Sequence, residues 1–284
     1  MCSNIGLVLE GGGSRGVYTA GVLQYLMKHQ IYLPYVIGAS SGACHGSSYI
    51  SRQMDRNKKV SIDYVRHPDY LSMRNLLKKR QLFGMDFIFD QLPNQLVPFD
   101  FATFQQAKES FVVTATDCMT GEAVYYDKKH HAKDVLTLIR ASSSLPLAAP
   151  IVHYQGRALM DGGISNPIPI KQSIRAGNTK NVVVLTRNRG YVKKPQSFHW
   201  YISRKYQEYP GLLEALKHRH IEYNETMEYL YEEEEKGNIL IISPREKLKV
   251  ARMDRNKRKL MDLYKQGYQD TAAIAPILQD FLAG

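Results

Sequence analysis

Ile5-Gly6-Leu7-Val8-Leu9-Glu10-Gly11-Gly12-Gly13-Ser14-Arg15-Gly16 decides how this chain is read. Residues 5–9 form a short apolar run that reads as a buried strand, and a run of glycines ends it. Residues 17–29 follow with apolar side chains at Val17, Ala20, Leu23 and Met27, the spacing of a helix. Strand, glycine turn and helix open an α/β unit, and the pattern recurs. Residues 34–39 predict a second strand and residues 42–54 a second helix. Residues 111–116 and 123–126 read as strands around a turn, and residues 132–142 as a helix. Residues 151–154 and 157–160 form a hairpin across Gln155-Gly156. Residues 181–186 and 238–243 are two further strands separated by a long helical stretch over 212–236. Residues 254–282 read as two more helices.

The chain has 284 residues, of which 44% are hydrophobic and 23% charged, with 20 Gly and 12 Pro. That is an ordinary globular mixture with a substantial core, which excludes a disordered, collagenous or disulfide-scaffold protein. The three cysteines, Cys2, Cys44 and Cys118, are too scattered for a disulfide framework or a zinc cage, and fit a reducing compartment. Met1 to Asn4 lead straight into the first apolar run, without the basic and long apolar regions of a signal peptide. No run approaches the length of a membrane-spanning helix. A soluble, cytoplasmic protein is expected. The net charge of +11 is concentrated: residues 52–80 hold nine Lys/Arg against three Asp, and residues 245–265 hold nine against three acidic residues.

Gly11 to Gly16 satisfy G-x-G-x-x-G, a pattern that lets a backbone approach a pyrophosphate at a helix N-terminus. Dinucleotide binding also needs a carboxylate about 20 positions further on to hold a ribose hydroxyl. Residues 17–53 contain no Asp or Glu, so that reading fails. What remains is a helix N-terminus aimed at some anion, with Arg15 beside it. In place of the missing carboxylate stands Gly38-Ala39-Ser40-Ser41-Gly42, a G-x-S-x-G match between a strand and a helix. In such an elbow the flanking Gly38 and Gly42 allow a tight turn that lifts the serine hydroxyl above the sheet edge. A nucleophile and an anion-binding loop would then lie at neighbouring strand ends.

A serine nucleophile needs a base. His45 follows Ser40 on the same helix and is turned away from it, while His199, His218 and His220 come late in the chain, the last two beside Lys217 and Arg219 in a polar helix. The better candidate is acidic: Asp161-Gly162-Gly163, closing a strand and followed by Asn166-Pro167. A turn-forming Asp-Gly would be the default reading of that tripeptide in isolation.

Together, Gly11–Gly16 as GGGxRG, Ser40 within GxSxG and Asp161 within DGG, in this order, resemble the patatin-like phospholipases. Ala141-Ser142-Ser143-Ser144-Leu145-Pro146 also resembles the family pattern, and Glu10 stands where plant members often have Asp. The resemblance runs from about residue 5 to 170. It implies a three-layer α/β/α sandwich with a mostly parallel central sheet, a hydrolase domain over residues 5–175, and a mostly helical extension with two further strands over residues 176–284. It also implies acyl transfer by a Ser40–Asp161 dyad without histidine. The oxyanion would be held by backbone N–H groups of Gly11, Gly12 and Gly13, with Arg15 and Gly16 beside them and Gly38, Gly42, Gly162 and Gly163 supporting the turns. No metal or cofactor is implied, and the substrate class is a lipid or other acyl ester.

The basic segments are solvated helix faces by default, and their functional reading is attraction to anionic head groups at the inner membrane face. Leu76-Leu77-Lys78-Lys79-Arg80, followed by Leu82-Phe83 and Phe87-Ile88-Phe89, mixes basic and large apolar groups and could be a lid. No nucleic-acid-binding module accompanies the charge. The competing classes are a non-catalytic basic membrane-binding protein on the same scaffold, and an acyltransferase or thioesterase.

Overall fold

A computed structural model describes residues 4–195, 200–246 and 248–283. In chain order the main elements are β1 (Ile5–Leu9), α1 (Val17–Lys28), β2 (Tyr35–Ala39), α2 (Ser41–Ile50), β3 (Ser110–Asp117) and β4 (Ala123–Asp127). They continue with α3 (Val135–Ser142), β5 (Val152–Tyr154), β6 (Arg157–Asp161), α4 (Ile170–Arg175) and β7 (Lys180–Val184). The remainder are α5 (Pro210–Glu235), β8 (Ile239–Ile242), α6 (Lys257–Ala273) and α7 (Ala275–Ala283). Among the described residues eight strands join one mixed sheet, in which β8, β7, β1, β2 and β3 run parallel in that spatial order. β4 and β6 both pair antiparallel with β3, and β5 closes a hairpin with β6.

The parallel strands are apolar at nearly every position because both faces are covered. Leu7, Leu9, Val36, Phe111, Val113, Val182 and Val184 point to one side, into a core completed by α1, α2, α3, α6 and α7. Val8, Ile37, Val112, Val183 and Ile241 point to the other, against Ile168 and Ile170 and against Tyr223, Met227 and Leu230 of α5. The result is the three-layer sandwich. β1 sits at its centre: the chain winds outward through β2 and β3 on one side and through β7 and β8 on the other. α1 lies on one face and α5 on the opposite face, so the winding reverses between β1 and β7.

α6 lies directly along α1. A Cβ at Gly267 would stand 2.1 Å from the Tyr18 carbonyl oxygen, and one at Gly21 would stand 2.0 Å from the Tyr264 carbonyl oxygen. Two glycines therefore let the helix backbones touch, while Leu260, Leu263 and Tyr264 are buried in the core that α1 shares.

α2 ends at Ile50, four residues before the apolar pattern predicts. Arg52 and Asp55 both adopt left-handed backbone angles, φ 57° and 62°. Arg52 is held there by its ion pair with Glu109 and by stacking over Tyr32, 3.6 Å from the ring centre. Residues 51–109 then form short helical turns, including Met73–Lys79 and the π-helical Phe87–Leu96. They are tied down where the Leu82 and Phe83 N–H groups both donate to the Ala148 carbonyl.

Candidate active site

The sheet itself brings Ser40 and Asp161 together. β4 occupies one edge of β3 from Val112 to Thr116, so β2 and β6 must share the other edge. Along it Ala39 pairs with Thr114 and Asp161 pairs with the next residue, Ala115. β2 and β6 run toward each other and meet tip to tip. Ser40 leaves one tip as Asp161 closes the other.

Ser40 Oγ donates to Asp161 Oδ2 at 2.7 Å, and the second carboxylate oxygen accepts the Gly163 N–H at 2.8 Å. Asp161 is fully buried and Ser40 is 7% exposed. Ser40 has φ 53° and ψ −123°, a conformation an L-residue adopts only under strain, at a cost of order 1–3 kcal/mol. The turn is enforced by close packing. A Cβ at Gly42 would lie 2.3 Å from the Leu9 carbonyl oxygen, and one at Gly38 would lie 2.6 Å from the Gly42 carbonyl carbon. Gly162 is equally constrained, since its Cβ would sit 2.1 Å from the Thr114 carbonyl oxygen.

A second set of residues fixes both tips. Ser142 Oγ accepts the Ser40 N–H at 2.8 Å and donates to the Thr114 carbonyl at 2.6 Å. The Ser144 and Ser142 carbonyls accept the Asp161 and Gly162 N–H groups, and Thr116 Oγ1 donates to the Asp161 carbonyl at 2.8 Å. The sequence flagged Ser142–Ser144 only as a pattern; the hydrogen bonds by which Ser142 and Ser144 fix the two tips span 17 to 102 positions of chain and have no local signature.

The glycine loop lies alongside, with Gly11 close enough that a Cβ there would stand 3.1 Å from Ser40 Cβ. The Gly11 N–H donates to the Pro167 carbonyl at 3.1 Å and the Gly12 N–H to Ser41 Oγ at 2.8 Å. The Gly13 N–H makes no hydrogen bond among the described residues. Gly13 needs to be glycine twice over, for its φ of 59° and for the Arg252 carbonyl that a Cβ would meet at 2.5 Å. A Cβ at Gly16 would meet Ser41 Oγ at 2.4 Å. Arg15 points away into a separate cavity between the ends of β1 and β7. Behind the loop Glu10 is buried; its carboxylate accepts from the Thr186 N–H and, at 3.0 Å, from Thr186 Oγ1. Burial raises the Glu10 pKa against the lowering pull of those bonds.

Ser40 opens on a cavity of about 110 Å³ lined mainly by apolar groups, among them Val17, Val65, Leu71, Phe83, Ile88 and Phe89. The segment singled out as a candidate lid therefore roofs the space next to the serine. Cys44 and His45 also line it. Burial pushes the Cys44 thiol up to about 11 and lowers His45 to about 4. On α5, His218 is exposed and pairs with Glu214, His220 is half-buried with its Nδ1 against the Lys217 carbonyl, and His199 lies outside the described residues. Among the described residues, no group of three His, Cys, Asp or Glu is placed to hold a metal ion.

The two basic segments, remote in sequence, meet in space: Arg255 donates to the carbonyls of Val65 and Arg66, and Lys257 to that of Asp63. Several of their cations are structural in this way, and Arg56 is half-buried with its guanidinium 5.1 Å from the Phe99 ring centre. Met73, Arg74, Leu77 and Arg80 are exposed on one short helix and its cap, while the side chains of Lys78 and Lys79 lie outside the described residues. No described helix is long and apolar enough to cross a membrane.

Residues 7–174 match the family described as patatin-like phospholipase, and residues 209–283 match a domain family of unknown function. The uncharacterised protein YjjU of Escherichia coli K12 is 28% identical over 273 residues, covering 93% of this chain and 74% of its own. An uncharacterised NTE family protein of Mycobacterium tuberculosis H37Rv is 24% identical, over 58% of this chain and 44% of its own. Lysophospholipase NTE1 of Meyerozyma guilliermondii is 28% identical, over 61% of this chain and 12% of its own. VipD of Legionella pneumophila is similar in structure over 96% of this chain and 66% of its own, with a TM-score of 0.47 and 13% identity.

Proposed function

The chain belongs to the patatin-like phospholipase family, and on that footing we propose that it is a serine lipid acyl hydrolase working through a Ser40–Asp161 dyad. The observation that carries this reading is the 2.7 Å hydrogen bond from Ser40 Oγ to a buried carboxylate, made by a serine on a strained turn beside an apolar cavity. Asp161 is acceptor-only when ionised, and its other oxygen is already held by Gly163, so it faces the serine in one orientation.

In this mechanism the acyl chain of a lipid ester lies in the apolar cavity and its carbonyl sits over Ser40. Asp161 takes the Ser40 proton as Oγ attacks the carbonyl carbon. The developing oxyanion is received by the Gly13 N–H and by the Gly12 N–H, which exchanges Ser41 Oγ for the substrate oxygen. The tetrahedral intermediate collapses, Asp161 returns the proton to the leaving alcohol, and an acyl-Ser40 ester remains. Water, deprotonated by Asp161, then attacks the acyl carbon, and Asp161 returns that proton to Ser40 Oγ as the fatty acid leaves. No histidine is needed at any step. Exposed Met73 and Leu77 beside Arg74 and Arg80 support peripheral contact with an anionic lipid surface, near the cavity roof through which a lipid would enter.

Labelling with a fluorophosphonate tests the reading, because only an activated serine reacts. Stoichiometric labelling of the wild-type chain, abolished by Ser40→Ala, is the expected result; a folded wild-type chain that never labels would remove it.

A further inference from the structure

Beyond the dyad, the structure holds a second cavity, of about 460 Å³, at the point where the winding of the sheet reverses between β1 and β7. Crevices at such switch points, outside the carboxyl ends of parallel strands, are where open α/β sheets receive ligands. Glu10 and Gly11 line it from the end of β1 and Arg187 from beyond β7. Its other walls come from the segment 191–195, from Arg219 and Tyr223 of α5, and from Arg252.

The chemistry of this wall is one-sided. Arg15, Arg187, Lys193, Arg219 and Arg252 converge on it and none is exposed. Among the described residues, none of the five makes an ion pair within 4.0 Å, although the same protein pairs Arg52, Arg140, Arg157 and Arg189 with carboxylates. The one carboxylate in the wall, Glu10, is engaged by Thr186. Arg15 Nε is buried without any partner, and Arg219 is only 8% exposed. Burial and mutual repulsion lower Arg15 and Arg219 to about 10 and Lys193 to about 7. Unpaired, partly desolvated cations are costly, and a chain that gathers five of them leaves room for a countercharge. Their positions are built: Arg219 Nε donates to the Gly163 carbonyl at 2.6 Å, and Lys193 Nζ lies 4.4 Å over the Tyr223 ring. Asn224 clamps the Lys193 backbone through both its N–H and its carbonyl.

We propose that this cavity binds a phosphate group, held by Arg15, Arg187, Lys193, Arg219 and Arg252. Guanidinium forks match phosphate oxygens two at a time, and five cations facing one cavity repel a cationic ligand. The site shares walls with the dyad: Gly11 abuts Ser40, and Gly163 stands between Asp161 and Arg219. A phosphate in it could be part of an ester poised at Ser40, an assignment that rests on the hydrolase reading above, or it could be a free anion that orders the glycine loop from behind.

Binding and turnover are read separately, so that failure of one is not mistaken for failure of the other. Inorganic phosphate is titrated against Ser40→Ala protein by calorimetry and thermal shift, and the same is done for the Arg187→Gln/Lys193→Met double variant on that background. The site predicts saturable 1:1 binding that weakens at least about tenfold in the double variant, on the scale of losing one charge-assisted bond. Absence of saturable binding, or equal binding by the variant, overturns it, whatever the enzyme hydrolyses. In the kinetic arm, a lysophospholipid and a monoacylglycerol of equal chain length are compared in protein with Ser40 intact. If the phosphate comes from the substrate, the double variant raises KM for the lysophospholipid alone, and inorganic phosphate competes with that substrate. If it is a free anion, phosphate changes kcat for both substrates alike.

Discussion

Ala39 and Asp161 occupy consecutive rungs on one edge of β3, opposite Thr114 and Ala115. Everything proposed for the site follows from that adjacency. A parallel strand and an antiparallel strand that share an edge must stop where they meet, so a turn leaving one and a side chain ending the other are placed together by backbone pairing. The 2.7 Å contact between Ser40 Oγ and Asp161 Oδ2 then needs no long, flexible side chain to span a gap.

Ser142 locks this junction. Ser142→Ala leaves the buried Ser40 N–H and the Thr114 carbonyl without their partner, at a cost of about 1–3 kcal/mol. The expected outcome is a lower denaturation midpoint together with a fall in kcat larger than any change in KM, because the elbow loses its anchor while the acyl cavity keeps its lining. An unaltered kcat in a destabilised protein would show that Ser142 supports the fold only.

α6 contributes through contact with α1. Gly267→Leu forces a side chain into the Tyr18 carbonyl, and overpacking of this kind costs about 1–3 kcal/mol or more. Thermal denaturation should shift down by several degrees. Leu at the exposed Lys265 position, as a control on the same helix, should leave the midpoint nearly unchanged.

His45 gives the stability a defined pH dependence. Its folded pKa is about 4, lowered by burial, against 6.5 in the unfolded chain. Between those values the unfolded chain takes up a proton that the folded chain refuses. Stability contributed by neutral His45 is therefore present above about pH 6.5 and is lost as pH falls toward 4, by up to about 3 kcal/mol. Urea midpoints of wild type and His45→Gln at pH 7 and pH 4.5 measure it: the drop should be smaller in the variant. Equal drops would place the acid sensitivity elsewhere.

The exposed face formed by Met73, Arg74, Leu77 and Arg80 is the test ground for membrane contact. Binding to anionic vesicles should weaken between 0.01 and 0.15 M salt, as the Debye length falls from about 30 to about 8 Å. Arg74→Glu/Arg80→Glu should reduce it further and spare hydrolysis of a soluble ester. Equal binding to neutral and anionic vesicles would return these residues to an ordinary solvated face.

The elements that were legible in the sequence are those whose signals are local. The apolar run at Ile5–Leu9, the glycine turn after it and the alternation of short strands with helices specify the sandwich, because burial of both sheet faces demands it. The elbow at Ser40 and the Asp-Gly-Gly that closes β6 were legible for the same reason: close backbone approach requires glycine at fixed offsets. What was hidden depends on register. Nothing local says that β2 and β6 share an edge of β3, that Ser142 reaches the Ser40 N–H, or that Gly21 and Gly267 touch neighbouring helix backbones. The early end of α2 was also hidden, because Glu109, far along the chain, holds Arg52 in a left-handed turn. The cationic cavity has no local signature because its five members are spread from Arg15 to Arg252, and only the reversal of winding at β1 gathers them.

The central claim is that Asp161 is the direct base for Ser40. It is measured by kcat/KM on a short-chain nitrophenyl ester for Ser40→Ala, Asp161→Asn, His45→Gln, His218→Gln and His220→Gln, with folding checked by circular dichroism. Asp161→Asn keeps the shape and removes the proton acceptor, so it should fall by at least about 10²–10⁴-fold, close to Ser40→Ala, since members of one catalytic unit are not additive. The three histidine variants should keep most of the wild-type rate. A largely active Asp161→Asn beside any one dead histidine variant would contradict the dyad and leave Ser40 with a different base.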